Sequence, residues 1–502
     1  MANRDTRALV AHLFRRAGFG LRPDELDHFT ALGVQGSVNY LTAYHGVNDP
    51  AETIYPVPEL TTYNRVPTPG KHTTADLKAA AKQRGQAIYA IQEWWVNRML
   101  TTARPLQEKM TLFWHGHFAT ARTKVPPVGM LEQNQLLRSM ALGNFNTMLK
   151  SINQDPAMLL WLDGYLNRAG KPNENFGREL MELFTLGVGH YSEQDVREGA
   201  RALTGWTVSR KALYEGDATT QGVLRPRFHD GGSKTYLGHT GNLGSDDVMN
   251  ILSAHPNTGG FLVRKLFEFF AYDGVDGSIL QPFIQTYYSS KYDMGAVIKQ
   301  ILLSDAFYSD LSFEQHFKSP AEFVLGSVRE LNVSIPTIQL IRAMTLMGQE
   351  LLNPPNVAGW PGGITWLNPG TLVERFNFAG LLARSGLAHH QPAMQGTPVM
   401  GQGISAMTQP QVDTQTLALA NTMSLPSAPA FAPAALVNQS GAKDPAALVS
   451  YLLTRFVGIG ATPATVAALG AYLGPDLSHE VIQNRVRNLV QLVLSSPEYQ
   501  LN

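Results

Sequence analysis

Glu179 and Glu182 stand three residues apart in NENFGRELMELFTLGVGHYSEQDVREGARALTGW (residues 173–206), a stretch otherwise dense in apolar side chains. With a helix over Asn175–Leu186, Phe176, Leu180, Leu183 and Phe184 make one apolar stripe. Asn175, Glu179 and Glu182 then fall together along its flank. A carboxylate at the edge of a buried face loses hydration, so something must compensate it. An arginine (Arg16, Arg197 or Arg201) would make it structural. A metal ion, or service as an acid with a raised pKa, would make it functional. Glu174 and Arg178, on the opposite face, read as an ordinary exposed pair. Asp195 follows Ser192 at capping-box spacing and reads first as a helix cap.

Three further clusters carry chemistry-bearing side chains. His115 and His117 occur in FWHGHF. In an uninterrupted helix they point about 200° apart and cannot share a metal; a helix end broken at Gly116 would let them converge. His229 and Asp230, with Lys234, occupy the Gly-rich FHDGGSKTYLG, where a His–Asp step can face a cleft or form an Asx turn beside a solvated histidine. Trp206, Trp360 and Trp366 could form an aromatic platform for flat substrates such as sugar rings, or could be core. His255, before Pro256, reads as a helix-entry residue.

Helical patterning positions these groups almost throughout. Expected helices include Thr6–Ala17, one opened by Pro23 and closed by Gly33, Leu77–Thr101, one opened by Pro105, and Met130–Leu142. Another starts at Ser192 and ends near Leu203. Beyond these come Asp246–Ala254, Thr258–Tyr272, Ser278–Tyr288, Met294–Leu303, Pro320–Leu331, Thr337–Leu352 and Leu372–Ser385. Gly222–Gly244 reads as a loop or short hairpin. NPPNVAGWPGGITW (353–366) is too rich in Pro and Gly for a regular element and reads as a fixed loop, its glycines allowing close backbone approach. The expected organisation is all-α: a main helical domain over 1–388, a linker or loose excursion over 389–433, and a small C-terminal helical segment over 434–502.

Composition narrows the function. The 502-residue chain is 44% hydrophobic and 16% charged, with 40 basic and 40 acidic residues. Zero net charge and the lack of a basic run with interleaved aromatics argue against nucleic acid as a partner. No apolar stretch approaches the ~18 residues of a membrane span. The absence of cysteine excludes disulfides, thiolate catalysis and Cys-ligated metals. A transition metal would need His, Asp or Glu. Serine-hydrolase elbow, zincin and P-loop signatures are absent. The chain reads as soluble, cytoplasmic as it stands and exported if a leader has been removed.

Six motifs, HLFRRAGFG, FWHGHF, the 173–206 stretch, FHDGGSKTYLG, HPNTGGFLVRKL and GQELLNPPNVAGWPGG, occur in an order and spacing that resembles the bacterial DUF1800 family over roughly residues 8–385. The ending LVQLVLSSPEYQ resembles that family more weakly. The resemblance implies export for many members, often by a twin-arginine leader, a pattern that the N-terminal residues of this sequence are not expected to form. It also implies a phosphatase- or sulfatase-like partner protein. It implies no reaction.

The residues themselves support three readings. The first is a hydrolase-like enzyme acting on a polymer, most plausibly a glycan, with Glu179, Glu182, Asp195 or Asp230 as acid and base and His115, His117 or His229 assisting. Trp206, Trp360, Trp366 and Lys234 would bind the polysaccharide. The second is a hydrolytic or redox site built on a divalent metal held by histidine and carboxylate. The third is a non-enzymatic scaffold or partner-binding protein whose polar residues form a buried ion network.

Overall fold

A computed structural model describes residues 4–60, 73–208, 221–314, 316–385, 431–458 and 461–501. Helices dominate, as the patterning predicts. The first are α1 (Thr6–Ala17), α2 (Pro23–Thr42), α3 (Ala51–Ile54), α4 (Thr74–Thr101), α5 (Pro105–His117) and α6 (Pro127–Ser139). Then follow α7 (Phe145–Gln154), α8 (Pro156–Trp161), α9 (Glu174–Glu182) and α10 (Glu193–Ala202). Beyond the strands lie α11 (Ser245–Ala254), α12 (Pro256–Phe270), α13 (Gly277–Ser289), α14 (Met294–Leu302), α15 (Asp310–Glu314), α16 (Pro320–Leu331), α17 (Thr337–Leu346) and α18 (Pro369–Arg384). Last come α19 (Pro433–Ser440), α20 (Pro445–Leu452), α21 (Pro463–Leu473) and α22 (His479–Ser495). Strand structure among the described residues is confined to two antiparallel pairs. In one, β1 (Trp206–Thr207) pairs with β2 (Val223–Leu224); in the other, β3 (Lys234–Tyr236) pairs with β4 (His239–Gly241).

Local chemistry accounts for several boundaries. Asp5 caps α1 through Ala8 N–H, and α1 stops at Gly18. Ser192 and Asp195 form the reciprocal capping box on α10. The His255 ring accepts from Asn257 N–H at the start of α12, so it is the helix-entry residue the proline suggested. Gly33 closes the helical stretch that Pro23 opens, as expected: its backbone is non-helical, and a second stretch follows it within α2. It sits at φ 70°, a left-handed conformation that glycine adopts without penalty, and α2 continues to Thr42 beyond the kink.

Two hydrophobic cores flank α5. One gathers side chains of α1, α2 and α7–α14; the other gathers α4, α16–α18 and the C-terminal helices. Leu106, Met110, Phe113 and Trp114 of α5 join the first, and Leu112 joins the second. The C-terminal helices are therefore part of a core, with Leu489, Val490 and Val493 of α22 packed with Phe378 and Leu382 of α18. The expected linker, 389–433, lies outside the described residues except for Phe431, Ala432 and Pro433, and Phe431 is buried in the second core.

A helix buried on all sides cannot leave its charges unpaired. Glu108 of α5 accepts from Trp95 Nε1 (3.0 Å), Arg98 Nε (3.0 Å) and Arg138 Nε (2.7 Å) and Nη2 (2.8 Å). Arg98 also reaches Asp49 at 3.3 Å. Burial raises the Glu108 pKa, but Arg138 and Arg98 outweigh it, and the net shift is downward. Lys109, next in the chain, is paired with Glu322 of α16, which also takes His316 at 3.3 Å and Ser319 N–H at 2.7 Å.

Candidate active site

The acidic flank of α9 is present, but the helix carrying it is shorter than its apolar pattern suggests. It ends at Glu182. Phe184 N–H turns back to the Glu179 carbonyl and Leu186 N–H to the Met181 carbonyl, and Gly187 takes φ 82°. These wider turns tuck Phe184 and Leu186 into the first core, and Phe176 and Leu180 hold the same face upstream. Glu179 and Glu182 stay half-buried at its edge.

The two carboxylates have different surroundings. Glu182 accepts the Tyr191 hydroxyl at 2.5 Å. Burial, and then that hydrogen bond, push Tyr191 up to about 12. No described residue donates a hydrogen bond to the Glu179 carboxyl. Arg16, Arg197 and Arg201, the arginines that might have paired with it, are engaged elsewhere. Arg16 donates to the Phe270 carbonyl, Arg197 to Gln194, and Arg201 to Asp230 and Glu198. Arg178 is the cation that touches Glu179's charge, but its guanidinium is spread over Glu193 (2.8 Å twice) and Glu174 (3.6 Å). Burial, and then the neighbouring Glu182, raise the Glu179 pKa, with Arg178 opposing them. A half-buried carboxyl biased toward its protonated form, beside one that holds a hydroxyl, is the asymmetry that general acid chemistry uses.

The histidines of FWHGHF do not converge. The helix runs through Gly116 to His117, so their rings leave on opposite sides of α5. His115 packs edge-on against Trp95 and Trp360, and its Nε2 is buried without a partner. Burial holds its pKa at about 4. His117 lies in the first core, stacked with Phe113, with Nε2 at 3.1 Å from the Phe184 carbonyl and Nδ1 at 3.1 Å from Lys265 Nζ. Its ring is thus fixed by the backbone two residues beyond Glu182.

FHDGGSKTYLG forms a structural knot. Arg201 binds Asp230 at 2.8 and 3.2 Å, Gly232 N–H closes an Asx turn on Asp230 at 2.9 Å, and together they pull its pKa down to about 2. His229 Nδ1–H donates to the Thr204 carbonyl at 3.0 Å. The Lys234 ammonium, on the hairpin, is held by the Asp230 and Gly232 carbonyls and by Asn242. Asp230 and Lys234 thus find their partners within this segment and α10.

The tryptophans do not present a common exposed face. Trp206 in β1 and Trp366 at the end of the 353–366 segment are 8% and 7% exposed, and Trp360 alone of the three is half-buried. Trp360 lies over Gly116, and a Cβ at Gly359 would stand 2.1 Å from the Gly116 carbonyl. The Gly-rich loop therefore seats on the end of α5, the close approach its glycines permit.

Among the described residues, no three of His, Asp and Glu gather into a group that could hold a metal ion. Three separate groupings remain: Glu179, Glu182 and Tyr191; His117 with Lys265; and Arg201, Asp230 and Glu198. Tyr191 and Lys265 are not among the candidates that the sequence motifs point to. Both signals were available, in a tyrosine just before the Ser192 cap and in a lysine flanked at i−4 and i+4 by Phe261 and Phe269.

These features define an all-α protein with two cores and an acidic, partly open helix flank. The chain belongs to the family described as Protein of unknown function (DUF1800), whose model matches residues 12–501. No curated protein and no solved structure matches it.

Proposed function

We propose that the chain is a hydrolase-like enzyme acting on a polymer, a glycan being the class its paired carboxyls suit. Glu179 is the proton donor. Glu182, hydrogen-bonded to Tyr191, is the acceptor beside it. The observation that carries this reading is the Glu179 carboxyl: half-buried, without a hydrogen-bond donor among the described residues, and raised in pKa by burial and Glu182. A flank bordered by exposed Val188 and half-buried Leu183 is open to a chain-like substrate rather than enclosed around a small one. Polysaccharide is therefore the substrate to test, and a phosphatase- or sulfatase-like protein is the partner to seek by co-purification.

Turnover of a panel of neutral and acidic polysaccharides, followed by release of reducing ends, tests the proposal. Glu179→Gln should lower turnover by about 10²–10⁴-fold, the contribution of a general acid. Turnover unchanged by Glu179→Gln would refute the assignment.

A second reading has its own observation. Glu108, Glu322 and Asp230 are each paired inside the chain. If Glu179 gained a cation from a bound protein, the same flank would serve a non-enzymatic partner-binding protein. The reading predicts a complex that Glu179→Gln weakens.

A further inference from the structure

Lys265 projects from α12 toward the end of α5. The residue is half-buried, with its ammonium 5.2 Å from the centre of the Phe261 ring and 3.1 Å from His117 Nδ1. No carboxylate among the described residues lies within ion-pair distance of it. Arg264 and Glu268, its charged neighbours on α12, turn to each other at 3.7 Å, and Arg264 also donates to the Val275 carbonyl. From α5 the titratable group facing it is His117.

The tautomer of that histidine follows from its partners. The Phe184 carbonyl can only accept, so Nε2 carries the proton and donates. Nδ1 is left with a lone pair and accepts from Lys265. Burial, followed by the Lys265 charge, keeps the His117 pKa well below its ordinary value, so the ring stays neutral. Burial also lowers Lys265, to about 8. A neutral amine that spends one N–H on Nδ1 has its own lone pair fixed in direction. An anion is a poor occupant here, because the Nδ1 lone pair would repel it and no further donor is in place. A neutral electrophile fits both the amine and the aromatic wall of Phe261.

We propose that Lys265 is a carbonyl-reactive amine that condenses with an aldehyde or ketone to form an imine, with His117 as its positioning residue. The Nζ lone pair attacks the carbonyl carbon and a C–N bond forms. The nitrogen gives up its protons as the carbonyl oxygen takes up two and leaves as water, and the C=N bond completes the exchange with no change of oxidation state. This chemistry is independent of Glu179.

The test uses the full-length native chain, benzaldehyde as the probe, and sodium cyanoborohydride, whose hydride reduces the imine to a stable benzylamine. Peptide mass mapping then reads the rate at each lysine, with exposed Lys78 and Lys82 as internal references. Near pH 7 roughly a tenth of an amine with a pKa near 8 is neutral, against a few in ten thousand for an ordinary lysine. Lys265 should therefore be labelled at least about tenfold faster than Lys78 and Lys82, with a rate that levels off above about pH 8. Labelling at Lys265 no faster than at these two surface lysines would overturn the proposal. So would a rate that keeps climbing toward pH 10, the behaviour of an ordinary ammonium.

Discussion

Glu108 and Glu179 are the same side chain on two helices of one molecule, and their surroundings drive them in opposite directions. Glu108 is wholly buried and receives hydrogen bonds from Trp95, Arg98 and Arg138, and its pKa falls despite the burial. Glu179 is only half-buried, receives none among the described residues, and its pKa rises. Burial alone therefore does not set the fate of a carboxylate in this fold; the number of donors aimed at it does. A paired buried charge belongs to the architecture. A less buried carboxyl left without donors is maintained at a cost that structure does not require.

The strongest way to break this contrast is at Glu108. Glu108→Gln leaves Arg98 and Arg138 buried without their carboxylate, and the expected loss is about 3–5 kcal/mol in urea unfolding. A loss below about 1 kcal/mol would mean that the buried network is not the structural element described here.

His115 sharpens the same contrast through pH. Folded, it takes a proton only near pH 4; unfolded, it does so near its ordinary pKa of about 6.5. Between these values the unfolded chain holds more protons, so stability rises with pH across the interval and is lost on acidification. On the order of 1–3 kcal/mol of acid sensitivity should come from this ring. His115→Met should flatten the difference in urea midpoint between about pH 4.5 and pH 7 relative to the parent chain. An unchanged slope would count against the buried, neutral His115.

Ser192 gives a smaller effect, beside the acidic flank rather than in it. Ser192→Ala removes one half of the capping box on α10, at a cost of about 1 kcal/mol. Because Tyr191 precedes it, the substitution also reports whether fraying α10 disturbs the Tyr191–Glu182 hydrogen bond. The tyrosine's titration, held up to about 12 by burial and then by that hydrogen bond, should move downward if it does.

Much of this architecture is legible in sequence because it is written locally. The ends of α1 and α16, the Ser192–Asp195 box, the Asx turn at Asp230 and the loop nature of 353–366 all follow from residues within a few positions of one another. The failures are of two kinds. The apolar stripe of α9 continues past Glu182 because Phe184 and Leu186 are buried, but burial there is reached through wide turns that share the spacing of a helix without its hydrogen bonds. The second kind is long-range. Nothing near Glu108 in sequence shows that Arg98 and Arg138 meet it in space. The flanking phenylalanines of Lys265 are visible in sequence, but its partner His117 lies 148 positions away and is not. Candidate chemistry read from motifs was thus partly satisfied chemistry, as at Asp230, and the residues left with free chemistry were partly others.

The most direct measurement is the unfolding free energy of Glu179→Gln beside the parent chain at pH 7. The substitution keeps the shape of the side chain and removes its charge and its repulsion with Glu182. An unpaired carboxyl held for chemistry predicts stability that is unchanged or raised by up to about 1 kcal/mol. A loss of about 3–5 kcal/mol would show that Glu179 neutralises a buried cation, and the distinction drawn between it and Glu108 would be wrong.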